Sequence, residues 1–575
     1  MGDPSSVPQL GAAQPGAGPR ALRRAGRIWL AGIVVVAGTV FLAGGFPADT
    51  GGNTVPAEIE DRLRLAFIGL AAIGGVLALR FEPVGAVVMG VAAAAIGLLT
   101  AFDHPGSLSI ALAVLFAVPA VLTGLAWRWR RSRRALVTLA AVMGAVLFVE
   151  VVTAQGLYAY HFGPVHPASP ATPLAVDGVE WMWAGGVTSR QATVVARLGP
   201  GRDRARLLLA DDAGGRQVSA AVPVDGDRIA RLSVDGLSPA TRYRYTVEVD
   251  GRPDRSRGRG HLATMPEGPA SFTLAVGACA RTGSDGVVFD AIRRLDPLLY
   301  LITGDLHYEN ISRADSGVFL GAYDRVLAAP AQAALYRAVP VDYVWDDHDY
   351  GPNDAGATSS SRAAAHRAYR QAVPHPPLPA GPGGAIHHAF TIGRVRVVVT
   401  DTRSERAAGT MLGSAQREWL LGELRRADEH ALVIWVNSVP WIDTPRDGAD
   451  TWGGYAEERR LIADTIAGEG IANLVMLSGD AHMVAIDDGT NSGYAASGGG
   501  GFPILHAAAL DRRGNVKGGP YSHGTFPGPG RFGVVEVDDR GTSVSVELSG
   551  RDYHSRTLVS HAFEVSVPRP RIAGD

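Results

Sequence analysis

The stretch LITGDLHYENIS, Leu301 to Ser312, crowds an acid, a histidine and a tyrosine at the tip of a short apolar run. Leu298 to Ile302, bounded by Pro297 and Gly304, has the composition of a strand buried on both faces in an α/β sheet. Polar side chains at such an exit, here Asp305, His307 and Tyr308, need a reason. Working outward, Phe272 to Val276 is strand-like and Val287 to Leu295 helix-like, so that the three segments make a βαβ unit. Val341 to Trp345, Val395 to Thr400, Leu432 to Val436 and Leu474 to Leu477 are further strand candidates. Amphipathic segments near Ala415 to Arg426 and Tyr455 to Ile466 lie between the later ones. A layered α/β domain over residues 271–570 is the simplest architecture.

Polar residues follow each of these strands. GACAR brings Cys279 and Arg281, TGDLHY brings Asp305 and Tyr308, and WDDHDYGPND brings Asp346, Asp347, His348 and Asn353. TDTR brings Asp401 and Arg403, NSVPW brings Asn437, and LSGDAHM brings Asp480 and His482. Ligands of open α/β sheets bind outside the carboxyl ends of the strands, so these residues are expected to converge. Acids at close quarters repel, and without a cation some must take up protons at a cost of several kcal/mol. Carboxylates, an imidazole, an amide oxygen, a phenolate and a thiolate form a mixed hard and soft set. That set suits two unlike ions, one of iron type and one oxygen-preferring, such as calcium, manganese or magnesium. Asp305, central to the group, is placed to bridge them. Cys279 is the chain's single cysteine and has no disulfide partner in it. It is a ligand, a nucleophile, or a small buried side chain at the end of a strand.

The first part of the chain has a different composition. Ile28 to Gly44, Leu65 to Leu79, Pro83 to Ala101, Leu108 to Ala126 and Ala135 to Thr153 are nearly free of charge. Each approaches the roughly 20 residues that span a bilayer, and none shows a polar stripe. Arginines cluster in residues 1–27 and again from Arg128 to Arg134, and basic loops stay on the cytoplasmic side. The expectation is a cytoplasmic N-terminus, five transmembrane helices over 28–155, a linker over 156–173 and an extracytoplasmic remainder. The protein would then be multi-pass in the cell membrane, with the lipid bilayer as a partner. ATVVARL, ARLLLA, IARLSV and YRYTVEV, separated by turn clusters, predict a β-sandwich over 174–266. Its segment LSPATRYRYTVEVDG resembles the end of a fibronectin type III domain, where a tyrosine bonds back to the backbone. The net charge of −2 and the scattered arginines give no nucleic-acid footprint.

The run of GACAR, GDLHY, WDDHDYGPND, DTRSER, VPW and SGDAH, in that order, resembles the PhoD family of alkaline phosphatases within the metallophosphoesterase fold. The spacing of Asp305 and Tyr308 is also similar to the GDxxY element of purple acid phosphatases. The resemblance covers about Pro170 to Pro570, sandwich included. It implies ferric iron held by Cys279, Asp305, Tyr308 and His482, and calcium near Asp305, Asn353 and Asp480. Asp346 and Asp347 would line the same pocket, Arg281 and Arg403 would hold phosphoryl oxygens, and His348 would protonate the leaving group or orient Asp347. The implied activity is that of a membrane-anchored, outward-facing, metal-dependent phosphoric ester hydrolase. Its alternatives are a phosphodiesterase acting on lipid headgroups or cell-wall polymers, and a non-catalytic cell-surface binding protein. The family's usual WDDHE reads WDDHD here, with Asp349 one methylene shorter.

Other residues have plainer expectations. His307 points away from Asp305, toward the surface, and takes no role. Trp345, Trp435 and Trp441 belong to the core or the pocket wall. Ser497 to Gly501 is a flexible loop without a P-loop lysine. His506 and His523 either approach the pocket or, as is usual for single histidines in turns, are polar surface.

Overall fold

The computed structural model describes residues 57–103, 117–125, 163–166 and 178–567, with 24–25, 28–29 and 159. The chain divides into two compact units, Met1–Tyr160 and His161–Asp575.

In the first unit, α1 (Ala57–Arg80) and α2 (Glu82–Asp103) are separated only by Phe81. Ala71 and Ala78 of α1 are buried with Met89 and Ala92 of α2. Among the described residues no helix is long and apolar enough to cross a membrane. This overturns the five-span anchor and the multi-pass, outward-facing placement derived from it. The physical reason is plainest in α1. Its sequence begins with Glu58, Glu60, Asp61, Arg62 and Arg64, so the apolar part, Leu65 to Leu79, is shorter than the roughly 20 residues a bilayer requires. The runs at 28–44 and 135–153, and most of 108–126, lie outside the described residues.

In the second unit, nine strands lie between residues 179 and 263. They are β1 (Val179–Gly185), β2 (Gln191–Leu198), β3 (Arg204–Asp211), β4 (Arg216–Val218), β5 (Val222–Pro223), β6 (Ile229–Asp235), β7 (Arg242–Val249), β8 (Arg252–Pro253) and β9 (Arg259–Ala263). β3, β4, β5, β7, β8 and β9 form one antiparallel sheet. On β7 the side chains alternate, with Tyr243, Tyr245 and Val247 buried and Arg242 and Arg244 exposed. The Tyr243 hydroxyl accepts from the Ser238 N–H at 2.9 Å, the backward bond expected of a tyrosine corner.

The αβ portion follows in chain order: β10 (Ser271–Gly277), α3 (Val287–Leu295), β11 (Leu299–Thr303), α4 (Ser316–Ala328), α5 (Pro330–Ala338), β12 (Val341–Val344), α6 (Asp347–Tyr350) and α7 (Arg362–Ala372). A second run comprises β13 (His388–Ile392), β14 (Val395–Val399), α8 (Gly413–Arg425), β15 (Leu432–Val436), α9 (Ala456–Gly468), β16 (Leu474–Ser478), β17 (Met483–Asp487), β18 (Ile504–Ala507) and β19 (Thr525–Pro527). The described chain closes with β20 (Arg531–Asp539), β21 (Ser543–Asp552) and β22 (Thr557–Ser566). One sheet has nine strands in the order β22-β21-β20-β10-β11-β12-β1-β2-β6, and the other seven in the order β13-β14-β15-β16-β18-β17-β19. The larger sheet therefore takes its last three strands from the sandwich. β1 joins β12 in parallel, with Gly185 opposite Val341. Trp183 of β1 donates its indole N–H to the Ala372 carbonyl of α7 at 2.7 Å, and its ring meets Tyr323, Tyr336 and Tyr343.

The two sheets pack face to face, and strand alternation sorts their side chains. Val397, Ile434, Val475, Leu477, Val484 and Leu505 enter the core shared with β10, β11 and β20. Their neighbours Val398, Val433, Trp435, Met476 and Ala485 turn to the opposite side, under α8 and α9. Strands covered on both faces read as continuous apolar runs, which is why LYLIT and LVMLS lack a polar period. β10, β11 and β12 are parallel to one another, as are β14, β15, β16 and β18. Their carboxyl ends deliver the polar residues to one place.

Candidate metal centre

Cys279, Asp305 and Asp480 each sit just past a strand end in left-handed backbone, with φ of 63°, 53° and 74°. Such a conformation costs a β-carbon-bearing residue on the order of 1 kcal/mol and persists where the surroundings impose it. Gly304 shows the crowding, since a Cβ there would lie 2.5 Å from Asp346 Cβ. The turns reverse the chain at once and aim three side chains into the gap between the strand ends.

One side of the gap is soft. Tyr308 Oη donates to Asp305 Oδ2 at 2.6 Å and stands 3.0 Å from His482 Nε2, while Cys279 Sγ lies 3.4 Å from Asp305 Oδ2. His482 Nδ1 is 2.8 Å from the Arg513 carbonyl, so that nitrogen carries the proton and Nε2 presents a lone pair. A single tyrosine proton cannot satisfy both the carboxylate and the imidazole. Asp305 Oδ1 is buried with no hydrogen-bond partner among the described residues. Burial first, then the neighbouring acids, holds the Asp305 carboxyl and the Cys279 thiol well above their ordinary values, and burial holds His482 well below its own. Lone pairs without protons and acids reluctant to ionise are what a bound cation resolves. Ligand atoms of Cys279, Asp305 and His482 lie within 4.8 Å of one another, as do those of Asp305, Asp347 and His348. The residues present fit a metal ion.

The other side is ionic. Arg403 is fully buried, donating from Nε to Asp346 Oδ1 at 2.5 Å and from Nη1 to Asp450 Oδ1 at 2.8 Å. Arg406 also pairs with Asp450. Lys517 Nζ reaches both oxygens of Asp480, at 2.8 and 2.7 Å, and Asp450 at 3.3 Å. Burial would raise the Asp450 pKa, but Arg403, Lys517 and Arg406 hold it well below the usual carboxylate range. Burial pushes Asp346 up to about 6 against the pull of Arg403. Asp347 accepts from the N–H groups of His348 at 2.9 Å and Asp354 at 2.6 Å. Asp349 accepts from the N–H groups of Leu306 and Asp346 and from the Tyr343 hydroxyl, tying the Asp305 turn to the Asp346–Asp347 turn.

The structure thus brings together Cys279, Asp305, Tyr308, Asp346, Asp347, His348, Asp480 and His482. His348 Nδ1 is 2.6 Å from Asn310 Oδ1, and its ring lies over Tyr308 at 4.3 Å between centroids. Arg281 sits beside Asp511 at 3.3 Å. Asn353 is exposed in the turn after α6, whereas its neighbour Asp354 has a carboxylate oxygen within 4.8 Å of those of Asp347 and Asp450. Asp401 is buried under Trp345, accepting its indole N–H at 2.9 Å, and Asn437 accepts from Val439 N–H and Trp452 Nε1. His307, expected at the surface, is completely buried, with its ring against Tyr323 at 5.9 Å. The turn after Leu306 folds it under α4 instead of outward. His506 is likewise buried, bonded to Ser478 and the Ala481 carbonyl.

Sequence reasoning missed Lys517, Asp450, Arg406, Arg512 and Asn310. All come from loops rather than strand ends. The segment DRRGNVKGG, Asp511 to Gly519, carried a signal in its density of charge between glycines. It supplies Asp511 to Arg281, Arg512 over the Tyr308 ring at 4.1 Å, the Arg513 carbonyl to His482, and Lys517 to Asp480.

Residues 274–504 match the PhoD-like phosphatase family. The match runs from β10 to the start of β18 and takes in every strand end that feeds the site. Among curated proteins, alkaline phosphatase D of Bacillus subtilis (strain 168) is 27% identical over 186 residues, covering 26% of this chain and 32% of that protein. The chain therefore spans about a third of the length of that relative. Among solved structures, that of PhoD is similar with a TM-score of 0.52 at 16% identity, over 69% of this chain and 94% of the other. Purple acid phosphatase PPD1 from yellow lupin (Lupinus luteus) seeds is similar with a TM-score of 0.50 at 13% identity, over 68% and 74%. At these identities the likeness is one of fold. The chain shares its fold with those two structures over about two thirds of its length.

Proposed function

We propose that the protein is a metal-dependent phosphoric ester hydrolase of PhoD-like type. The observation that carries this reading is the soft cluster. A thiol, a carboxylate with a buried oxygen that has no partner among the described residues, a tyrosine hydroxyl and an imidazole lone pair face one another at the strand ends of a metallophosphoesterase-like domain. The family match over 274–504 supports the same chemistry.

Cys279, Asp305, Tyr308 and His482 would hold the resident metal, and a ferric ion suits their mixture of thiolate, phenolate, carboxylate and imidazole. When bound, the metal supplies Lewis acidity toward a phosphoryl oxygen and toward water. Asn353 is exposed and Lys517 holds both oxygens of Asp480, so we place no calcium there. Arg281, partly exposed beside Asp511, binds the phosphoryl oxygens. Arg403 orders Asp346 and Asp450 and takes no part in substrate contact, since its guanidinium is buried between them. His348, with Nδ1 fixed by Asn310, protonates the leaving oxygen from its other nitrogen. Cys279 is occupied as a ligand and serves as no nucleophile.

Hydrolysis of p-nitrophenyl phosphate and of its bis ester by the purified chain tests this reading. Release of nitrophenol that is lost on chelation and restored by iron is expected. Inactivity toward both esters under iron-loaded conditions refutes it.

A further inference from the structure

Divalent-metal pockets built from acids need cations to balance them, and this pocket carries its own. Asp346, Asp450 and Asp480 are paired with Arg403, Arg406 and Lys517: Arg403 with Asp346 and Asp450, Arg406 with Asp450, and Lys517 with Asp480 and Asp450. Asp347 also stands 3.9 Å from the Arg403 guanidinium, so Asp305 is the acid left to a metal ion, beside Cys279, Tyr308 and His482.

Lys517 is held in place by its loop. Gly518 and Gly519 follow it in left-handed backbone, with φ of 75° and 103°, and Gly519 N–H donates to the Ile442 carbonyl at 2.8 Å. A Cβ on Gly518 would lie 2.3 Å from that same carbonyl oxygen, so only glycine lets the loop come so close. On the other side of the lysine, Asn515 N–H donates to the His482 carbonyl at 3.1 Å, and the Arg513 carbonyl faces His482 Nδ1. The chain is thus fastened to the metal-side histidine before Lys517 and to the 440–442 segment after it. The ammonium is delivered to the point where Asp480 and Asp450 approach each other.

We propose that Lys517 fills, with its own ammonium, the cation position that Asp480 and Asp450 would otherwise offer to a second metal ion, so that each chain holds one resident metal, on the Cys279–Asp305–Tyr308–His482 side. This rests on the metal-dependent reading of the site. An ammonium with three donors meets two oxygens of Asp480 and one of Asp450, which is the coordination a small cation would seek from oxygen ligands. It also cannot be stripped by chelators. The oxygen-rich half of the pocket is then fixed in charge and geometry whatever the supply of divalent ions, and divalent ions compete with a tethered cation for its acids.

Elemental analysis of the purified full chain, followed by calorimetric titration of the iron-loaded protein with calcium and with manganese, tests the proposal. The wild type is expected to hold one metal ion and to show no saturable second site. Lys517→Met should open that site, so that one further calcium or manganese ion per chain binds saturably where the wild type shows none. Lys517→Arg keeps a cation at the position and should behave as the wild type. Two ions per wild-type chain, the second lost in Asp480→Asn, would overturn the proposal and leave the hydrolase reading standing. Wild-type protein that binds no metal overturns both. A Lys517→Met variant that melts cooperatively at the wild-type temperature yet gains no second ion also overturns it.

Discussion

Tyr308 donates its only proton to Asp305 Oδ2 at 2.6 Å while its own hydroxyl oxygen stands 3.0 Å from His482 Nε2. The hydroxyl is the joint between a carboxylate and an imidazole that have no direct bond in common. Removing it should separate metal chemistry from folding. Tyr308→Phe is expected to cost about 1–3 kcal/mol of stability, keep the ring over His348, and abolish or shift any visible absorption of the iron-loaded protein. Absorption spectra and thermal melts of the two proteins check this, and an unchanged visible band would remove Tyr308 from the metal.

Cys279 carries the second distinctive ligand. Cys279→Ser replaces a thiol by a hydroxyl that ionises far less readily, so iron content per chain should fall toward zero while the fold persists. Elemental analysis beside circular dichroism reads the two effects separately. Full iron retention would return Cys279 to the reading of a small side chain closing a strand.

Asp349 touches no candidate ligand group directly but binds the Leu306 and Asp346 N–H groups and the Tyr343 hydroxyl. Asp349→Asn turns one acceptor into a donor that faces donors. Metal affinity or turnover is expected to fall about 10- to 100-fold, because the turns bearing Asp305 and Asp347 lose their common anchor. Asp349→Glu should lose less, since its carboxylate is kept. Equal losses in both variants, measured by metal titration, would contradict the anchoring role.

Far from the pocket, His388 of β13 sits completely buried between the Ile386 carbonyl at Nδ1, 2.8 Å, and Asp342 of β12 at Nε2, 3.0 Å. Both ring nitrogens face acceptors, so the imidazolium is the form that fits. Burial opposes that charge, and Asp342 overcomes it and raises the pKa above 6.5. The stabilisation is therefore complete below the unfolded value of about 6.5 and is lost as pH rises through the higher folded value. His388→Gln should be about 3 kcal/mol less stable than the wild type at pH 6, with the gap closing toward pH 9. Urea unfolding across that range measures it, and a gap independent of pH would show that His388 is buried neutral.

Gly304→Ala tests the crowding behind Asp305. The new methyl would meet Asp346 Cβ at 2.5 Å, and φ of 107° suits no other residue. A loss of about 2 kcal/mol or more is expected, with disturbed metal binding, since Asp346 must leave Arg403 to make room. A melting temperature within a degree of the wild type would contradict it.

Much of this architecture could be read from alternation and strand composition. The helix Val287–Leu295 and the strand Leu432–Val436 match their expected limits, and β10, β11, β12, β14 and β16 end within a residue or two of theirs. The strand ends carried the site because a parallel sheet puts every carboxyl end on one side. Lys517 and Asp450 were not legible, because their place depends on loops that close through contacts such as Gly519 with Ile442, which leave no period in the sequence. The membrane expectation failed for a related reason. A run of apolar residues reports hydrophobicity, whereas Leu65 to Leu79 is continued in its helix by a charged turn that shortens what hydrophobicity alone suggests.

The pairing of Gly185 with Val341 makes the N-terminal sandwich and the phosphatase-like core indivisible building blocks. A shortened chain beginning at Ser271 would leave β12 as a bare edge, with the donors and acceptors that β1 now covers turned to solvent. It would also strip the cover from Tyr323, Tyr336 and Tyr343, which close around Trp183. Such a fragment is a template for strand exchange between molecules. Grafting, swapping or trimming in this chain must therefore treat residues 179–567 as one heritable piece, whatever the change of sequence character at residue 271 suggests to the eye.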